Sequence, residues 1–305
     1  MVKYMIRRFF QAFIVLLGVS FAIFVISRLG GDPVSLMLGP EVQEAEREAL
    51  RRQLGLDAPL YIQYLRFLSR AVRGDFGDSI LAGVPAMSLV LERLPATIQL
   101  AIFALLFAAV VGIPLGVISA LKHNTLLDYM GMVFTLLGQS IPSFWLGILL
   151  ILIVGLKLRL LPISGRGSFL HMIMPGVTLG FGLVATIARL TRTSMLEVLE
   201  ADYIRTARAK GLSEWMVTTR HALRNALIPV VTVMGMSLAG LLSGAVITEQ
   251  IFAWPGIGRL AINSIYQRDF PVVQADVFFV SVVVVVMNFL VDVLYTFLDP
   301  RIRYK

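Results

Sequence analysis
The chain has no cysteine, so neither disulfides nor thiol chemistry can contribute. Histidine is nearly absent too: His123, His171 and His221 are scattered, without metal-ligand spacing, and read as local hydrogen-bonding residues. Charge is scarce, with 15% Asp, Glu, Lys and Arg, where a soluble domain carries about 25%. With 57% hydrophobic residues and a mean hydropathy of +0.82, this excludes one or two soluble domains and puts the apolar surplus into membrane spans. No G-x-x-x-x-G-K-[ST] phosphate loop occurs. The formal charge of +8 has no dense basic run or stacking platform behind it, so it reads as cations flanking spans rather than a nucleic-acid surface. There is no internal repeat of the sort that marks many secondary transporters.

What is present is a set of long apolar runs. They predict an all-α integral membrane protein with six spans, at 9–29, 96–120, 129–156, 170–190, 226–248 and 275–298. Residues 1–8 are basic, and the first run is too long for a signal-peptide core and lacks an A-x-A site, so it reads as a retained span. Gly112, Pro114 and Gly116 in the second run suit a kink and close helix packing. The third carries Gln139, Ser140 and Ser143 around Pro142, which suit either helix–helix hydrogen bonds or a pore lining. Small residues crowd the fifth, among them Ser237 and Ser243, and again both packing and pore-facing roles fit. Asn288 and Asp292 share a face of the sixth, where Asp292 reads as a structural pairing.

Six spans put both termini on one side. Lys3, Arg7, Arg8, Lys122, Arg189, Arg192, Arg205, Arg208, Lys210, Arg220, Arg224, Arg301, Arg303 and Lys305 flank or fill the segments on that side. The two short opposite loops carry only Lys157, Arg159, Arg166, Arg259 and Arg268. The positive-inside bias therefore predicts N-in, C-in, with residues 30–95 and 249–274 external and residues 299–305 a cytoplasmic tail. The 30–95 segment includes a charged stretch at 41–53 that suits a surface helix.

Residues 195–225 break the apolar pattern. Leu196, Leu199 and Tyr203 recur at helical spacing, Gly211 suits a C-terminal cap, and Ser213 suits the N-cap of a second amphipathic stripe through Leu212, Trp215, Met216, Thr219 and Leu223. A solvated loop is the plainer explanation, but two capped helices around one glycine suit a docking surface better.

The run from Asp202 to Glu214, followed by His221-Ala-Leu-Arg-Asn-Ala-Leu-Ile-Pro229, resembles the cytoplasmic "EAA" loop of ABC importer permeases. More narrowly it is similar to the B-type subunit of the dipeptide/oligopeptide permease family. Two departures from the general motif favour that branch: its Glu-Ala-Ala falls on Arg205-Thr206-Ala207, and its late proline on Arg224. The family's GDPV, LGLD-x-PL-x-x-QY, GD-x-G-x-S, WPG-x-GRL and RD-[YF]-PVVQ signatures appear in order at Gly31, Leu54, Arg73–Ser79, Trp254 and Arg268. The resemblance implies the ABC type I importer permease fold and a coupling helix-turn-helix that sits in a cleft of an ATPase. The implied coupling residues are Glu200, Ala201, Asp202, Arg205, Thr206, Ala207, Arg208, Ala209, Lys210, Gly211, Leu212, Ser213, Glu214 and His221. Thr206 to Leu212 would be the inserted part.

The resemblance further implies a second homologous permease as heterodimer partner, two cytoplasmic ABC ATPases and an external solute-binding protein. ATP and Mg would sit on the ATPases, with no cofactor or catalytic residue in this chain. The expected cargo is a dipeptide or oligopeptide, the alternatives within the family being nickel complexes, glutathione or oligosaccharides. A stand-alone ion-coupled transporter would need several ionisable residues deep in the spans, and an intramembrane enzyme would need a nucleophile–base pair or metal cluster there. The spans carry neither.

Overall fold
The computed structural model describes residues 2–29, 34, 43–53, 55–242 and 245–298. The expectations for Gly30–Pro33, Ser243 and the tail at 299–305, and for the side chain of Asp292, lie outside the described residues. The described chain is helical: α1 (Val2–Leu29), α2 (Glu44–Gln53), α3 (Leu60–Ala71), α4 (Ala86–Leu121), α5 (Leu126–Ser140), α6 (Ser143–Lys157), α7 (Phe169–Leu199), α8 (Asp202–Ala209), α9 (Glu214–Leu242), α10 (Val246–Ile251), α11 (Ile257–Tyr266) and α12 (Phe270–Leu298). Among the described residues, α1, α4, α7, α9 and α12 are long and apolar enough to cross a bilayer, and α5 with α6 makes a sixth if that bent pair is one span. Among the described residues the chain divides into two compact units, one of Met1–Ala96 with Pro255–Val286, the other of Thr97–Trp254 with residues 287–298.

The helix limits differ from those read off hydropathy, each for a local reason. The third span is broken by a bend of 100° between α5 and α6. Pro142 has no N–H to donate, and it forces Ile141 into the extended region (φ −79°, ψ 119°). α4 begins at Ala86, ten residues before the apolar run, and passes through Pro95. Its first turns are amphipathic, with Ala86 and Val90 buried while Glu92 is exposed. α7 continues past Arg192 to Leu199, because Thr191, Ser194 and Met195 stay buried. α9 starts at Glu214, so the second of the two expected amphipathic helices is the first part of the fifth span, joined through a π-helical turn at Val217–Ala222. α12 starts at Phe270 with Pro271 in its first turn, where a missing N–H costs nothing.

In the first unit, Ala71, Phe76, Ala86, Val90, Ile257, Val272 and Ala275 form a buried core. An aromatic chain runs Phe24–Phe67–Phe76–Phe278, with centroids 5.9, 6.2 and 5.4 Å apart. A short loop is pinned by Ser79 N–H to Val84 O (2.8 Å) and Ala86 N–H to Gly77 O (2.9 Å). Its Ser79 hydroxyl donates to Asp269 Oδ2 (2.5 Å), and the Ile80 amide donates to Oδ1 (3.2 Å).

The second unit packs α4 on α7 through small residues. Ala104, Ala108, Gly112 and Gly116 recur every fourth residue of α4, giving one small-residue stripe. A methyl added at Gly116 would lie 2.4 Å from Ala188 O, and one at Gly180 would lie 2.7 Å from Ala104 O. The close packing expected for Gly112 and Gly116 is thus built. Asp128, at the start of α5, is fully buried and paired with Arg192 of α7. Glu249 is likewise buried and accepts a hydrogen bond from Thr97 Oγ1 (2.8 Å).

Candidate functional site
The polar interruption between α7 and α9 folds as one short helix, α8, held by a two-residue link on one side and a four-residue turn on the other. Its start is Ala201, extended at φ −68°, ψ 147°, with no side-chain cap. At its end Gly211 adopts φ +78°, the left-handed region that glycine enters without strain. The Gly211 amide donates to Arg208 O (2.9 Å) and the Leu212 amide to Ala207 O (3.4 Å). These are the paired bonds of a Schellman cap, and Leu212 and Ala207 supply its hydrophobic contact in one shared cluster. Ser213 then caps α9, its hydroxyl accepting from the Met216 amide (3.4 Å).

Arg208 closes the turn from outside with two bonds to Glu214, Nε–Oε1 at 2.8 Å and Nη2–Oε2 at 3.2 Å. Arg205 pairs with Asp202 at 3.6 Å along the helix. Beneath the turn, Ile204 and Ala207 pack with Ala120 of α4, Met195 of α7 and Val217, Ala222 and Ala226 of α9. The helix therefore has one face in the protein's own core and one face free.

The free face differs in detail from the expected inserted part. Thr206, Ala209, Lys210 and Gly211 are exposed, as are Glu200, Asp202, Arg205, Arg208, Ser213 and Glu214. Ala207 faces inward and Leu212 is half-buried, because they close the cap against the core, and Ala201 is half-buried at the link. Trp215 is 78% exposed, with Met216 beside it at 39%. The stripe read from the sequence splits here: Trp215 and Met216 are exposed, while Leu212, Thr219 and Leu223 are half-buried. Trp215 sits in the first turn after the Ser213 cap, ahead of the buried Val217 and Thr218.

His221 is half-buried in an open groove of about 640 Å³, lined also by Tyr203, Arg220, Arg224, Asn225 and Ile228. Asn225 Nδ2 donates to the Tyr203 hydroxyl across it (2.8 Å). The residues considered for a pathway lie apart from this site. Gln139, Ser140 and Ser143 are exposed around the α5–α6 bend, Ser237 is half-buried in α9, and Asn288 is exposed on α12. Among the described residues no hydrogen bond joins any two of them.

Five or six bilayer-length helices, with a short surface helix anchored between two of them, make this a polytopic membrane protein. The chain belongs to the family described as binding-protein-dependent transport system inner membrane component, which matches residues 112–304, with that family's N-terminal region matching residues 1–101. It is 41% identical over 317 aligned positions to the oligopeptide transport system permease protein AppB of Bacillus subtilis (strain 168), covering all of both chains. It is 42% identical over 306 positions to the glutathione transport system permease protein GsiC of Escherichia coli (strain K12), again covering all of both. Among solved structures, an inward-facing conformation of the MetNI methionine ABC transporter shares the fold, with a TM-score of 0.58 and 20% identity over 70% of this chain and 97% of that one. The protein is therefore an inner-membrane permease subunit of an ABC importer.

Proposed function
We propose that this chain is the permease half of an importer for dipeptides or oligopeptides, working as a heterodimer with a second homologous permease. Two cytoplasmic ABC ATPases hold ATP and Mg, and an external binding protein delivers the solute. The free face of α8, continued by Trp215, is the observation that carries the coupling role. It is a compact knob with an apolar centre, a charged rim of Arg205, Arg208 and Lys210, and a fixed base in the protein's own core. Seated in an ATPase cleft, it follows the closure of the nucleotide-bound dimer and moves α7 and α9 with it. Hydrolysis belongs to the partners. The positive-inside bias orients α8 towards the cytoplasm and puts the α2–α3 segment outside.

Full-length similarity to an oligopeptide permease supports the peptide cargo. The equally long similarity to a glutathione permease favours glutathione, itself a tripeptide, as the second reading. The experiment is co-purification in mild detergent, followed by reconstitution with the co-purified binding protein. Recovery of a paired permease and two ATPases, with ATP-dependent uptake of labelled di- or oligopeptide, supports the proposal. Uptake of glutathione alone moves the cargo to the second reading, and transport by the chain alone without ATP overturns the coupling role.

A further inference from the structure
The 30–95 segment reads in sequence as a polar stretch outside the bilayer, yet α3 within it carries an apolar stripe that the protein leaves uncovered. Tyr61, Leu65, Leu68 and Val72 follow one another at spacings of four, three and four, which is one face of a helix. Tyr61 is 67%, Leu65 59% and Val72 76% exposed. Apolar side chains so placed in water would form a patch that soluble surfaces avoid.

The neighbouring face, through Tyr64, fixes where this helix sits along α1. The Tyr64 hydroxyl lies 2.9 Å from Ser20 Oγ and 3.4 Å from Leu17 O. The Tyr64 ring packs edge-on against Phe21 and Phe24, both with centroids 5.5 Å away, and Phe67 lies 5.9 Å from Phe24. Ser20 is eight residues before Arg28, the last charge of α1, which is about 12 Å along a helix. One leaflet of a bilayer has a hydrocarbon layer about 15 Å deep. Tyr64 thus reaches well inside the apolar run of a helix that spans the membrane. α1 itself leaves apolar side chains uncovered near this contact, Phe21 at 55% and Ile26 at 63% exposed.

The charges are sorted to match. Arg28, Arg66 and Arg70 open onto one cavity together with Asp75 and Asp78, and of the stripe only Leu65 reaches its wall. Arginines on the polar side of an amphipathic helix reach up to lipid headgroups while the apolar side enters the acyl region.

We propose that α3 is a membrane-embedded interfacial helix. It lies in the leaflet at the Arg28 end of α1, its Tyr61–Val72 stripe against lipid and its arginines at the headgroups. The segment is then a lipid-seated brace for α1 and not an aqueous lid.

The absence of cysteine from the chain makes the test direct. Single-cysteine variants Tyr61→Cys, Leu65→Cys and Val72→Cys are spin-labelled in the complete transporter, reconstituted in vesicles containing phosphatidylglycerol. Ile26→Cys serves as the lipid reference and Arg73→Cys as the water reference. The nitroxides at 61, 65 and 72 are expected to favour oxygen over a water-soluble nickel chelate, as at 26. Their thiols should react about tenfold more slowly with a water-soluble maleimide than the one at 73, because apolar surroundings suppress the thiolate. Nickel access at 61 and 65 equal to that at 73 would mean an aqueous face and overturn the proposal. Exclusion of both oxygen and nickel would mean that another protein subunit covers the stripe, and would overturn it equally.

Discussion

Arg192 holds Asp128 by two parallel bonds, Nε to Oδ1 at 2.7 Å and Nη2 to Oδ2 at 2.8 Å, across 64 residues of sequence. The same carboxylate accepts from the Ser119 hydroxyl (2.5 Å) and from the Asn124 amide (3.0 Å). One fully buried carboxylate therefore ties the end of α4, the turn after it, the start of α5 and the last third of α7. Asp128→Ala leaves a guanidinium unpaired in a protected place and should cost about 3–5 kcal/mol. Thermal unfolding in detergent reads this loss. The double variant Asp128→Leu/Arg192→Met should recover most of it, and equal instability of single and double variants would refute the pairing as the cause.

At Gly116 the backbones of α4 and α7 come close enough that any side chain must displace them. Gly116→Leu is expected to prevent assembly of the folded permease, read as loss of the monodisperse complex on size-exclusion chromatography. Gly18→Leu, at a site with nothing within 4 Å, should not. Similar behaviour of the two variants would argue against the small-residue interface.

The coupling face makes a prediction about ATPase capture. Trp215→Ala removes its largest exposed ring and should weaken association by about 2 kcal/mol, close to thirtyfold, with membrane insertion intact. Gly211→Pro conflicts with the positive φ there, so it should leave insertion unchanged while uncoupling ATP hydrolysis from uptake. Wild-type transport by either variant would remove α8 from the coupling role.

Asp75 provides a pH handle. The Arg70 guanidinium, and after it the Gly77 amide, hold its carboxyl below the usual aspartate range. A depressed folded value means that the stabilisation is complete above the unfolded pKa of about 3.9 and is lost as pH falls through the folded value. Both partners are more than half exposed, so the effect should stay at about 1 kcal/mol or less. The hydrogen-exchange protection factor of the Gly77 amide should stay level down to about pH 4 and fall below it, and the Asp75→Asn variant should show a lower, flat profile. A wild-type profile as flat as the variant's would deny the linkage.

The parts legible in sequence were those set by local chemistry. Apolar runs located the long helices, Gly211 and Ser213 announced their caps, and Gly112 and Gly116 announced close packing. The bend at Ile141–Pro142 was also written locally, but an uninterrupted apolar run masked it. What could not be read were partners distant in the chain. Asp128 looked like part of a turn and Arg192 like the end of a span, because each finds its counter-ion only after three helices have assembled. Ser79 and Asp269 sit in two recognisable signatures, yet neither signature names the other. Ala207 faces the core although the motif put it in the inserted part, because a short helix wedged between two long ones takes its inward face from its neighbours, not from its own periodicity.

The bond from Ser79 to Asp269 also sets a timetable for synthesis. Its two ends are 190 residues apart, a distance that a ribosome covers in roughly 10–40 s at ordinary elongation rates. Throughout that interval the loop at 77–86 is already made, while the carboxylate that receives its Ser79 and Ile80 donors does not yet exist. A chain stopped before Asp269 is thus left with an open donor pair for quality-control proteases to find.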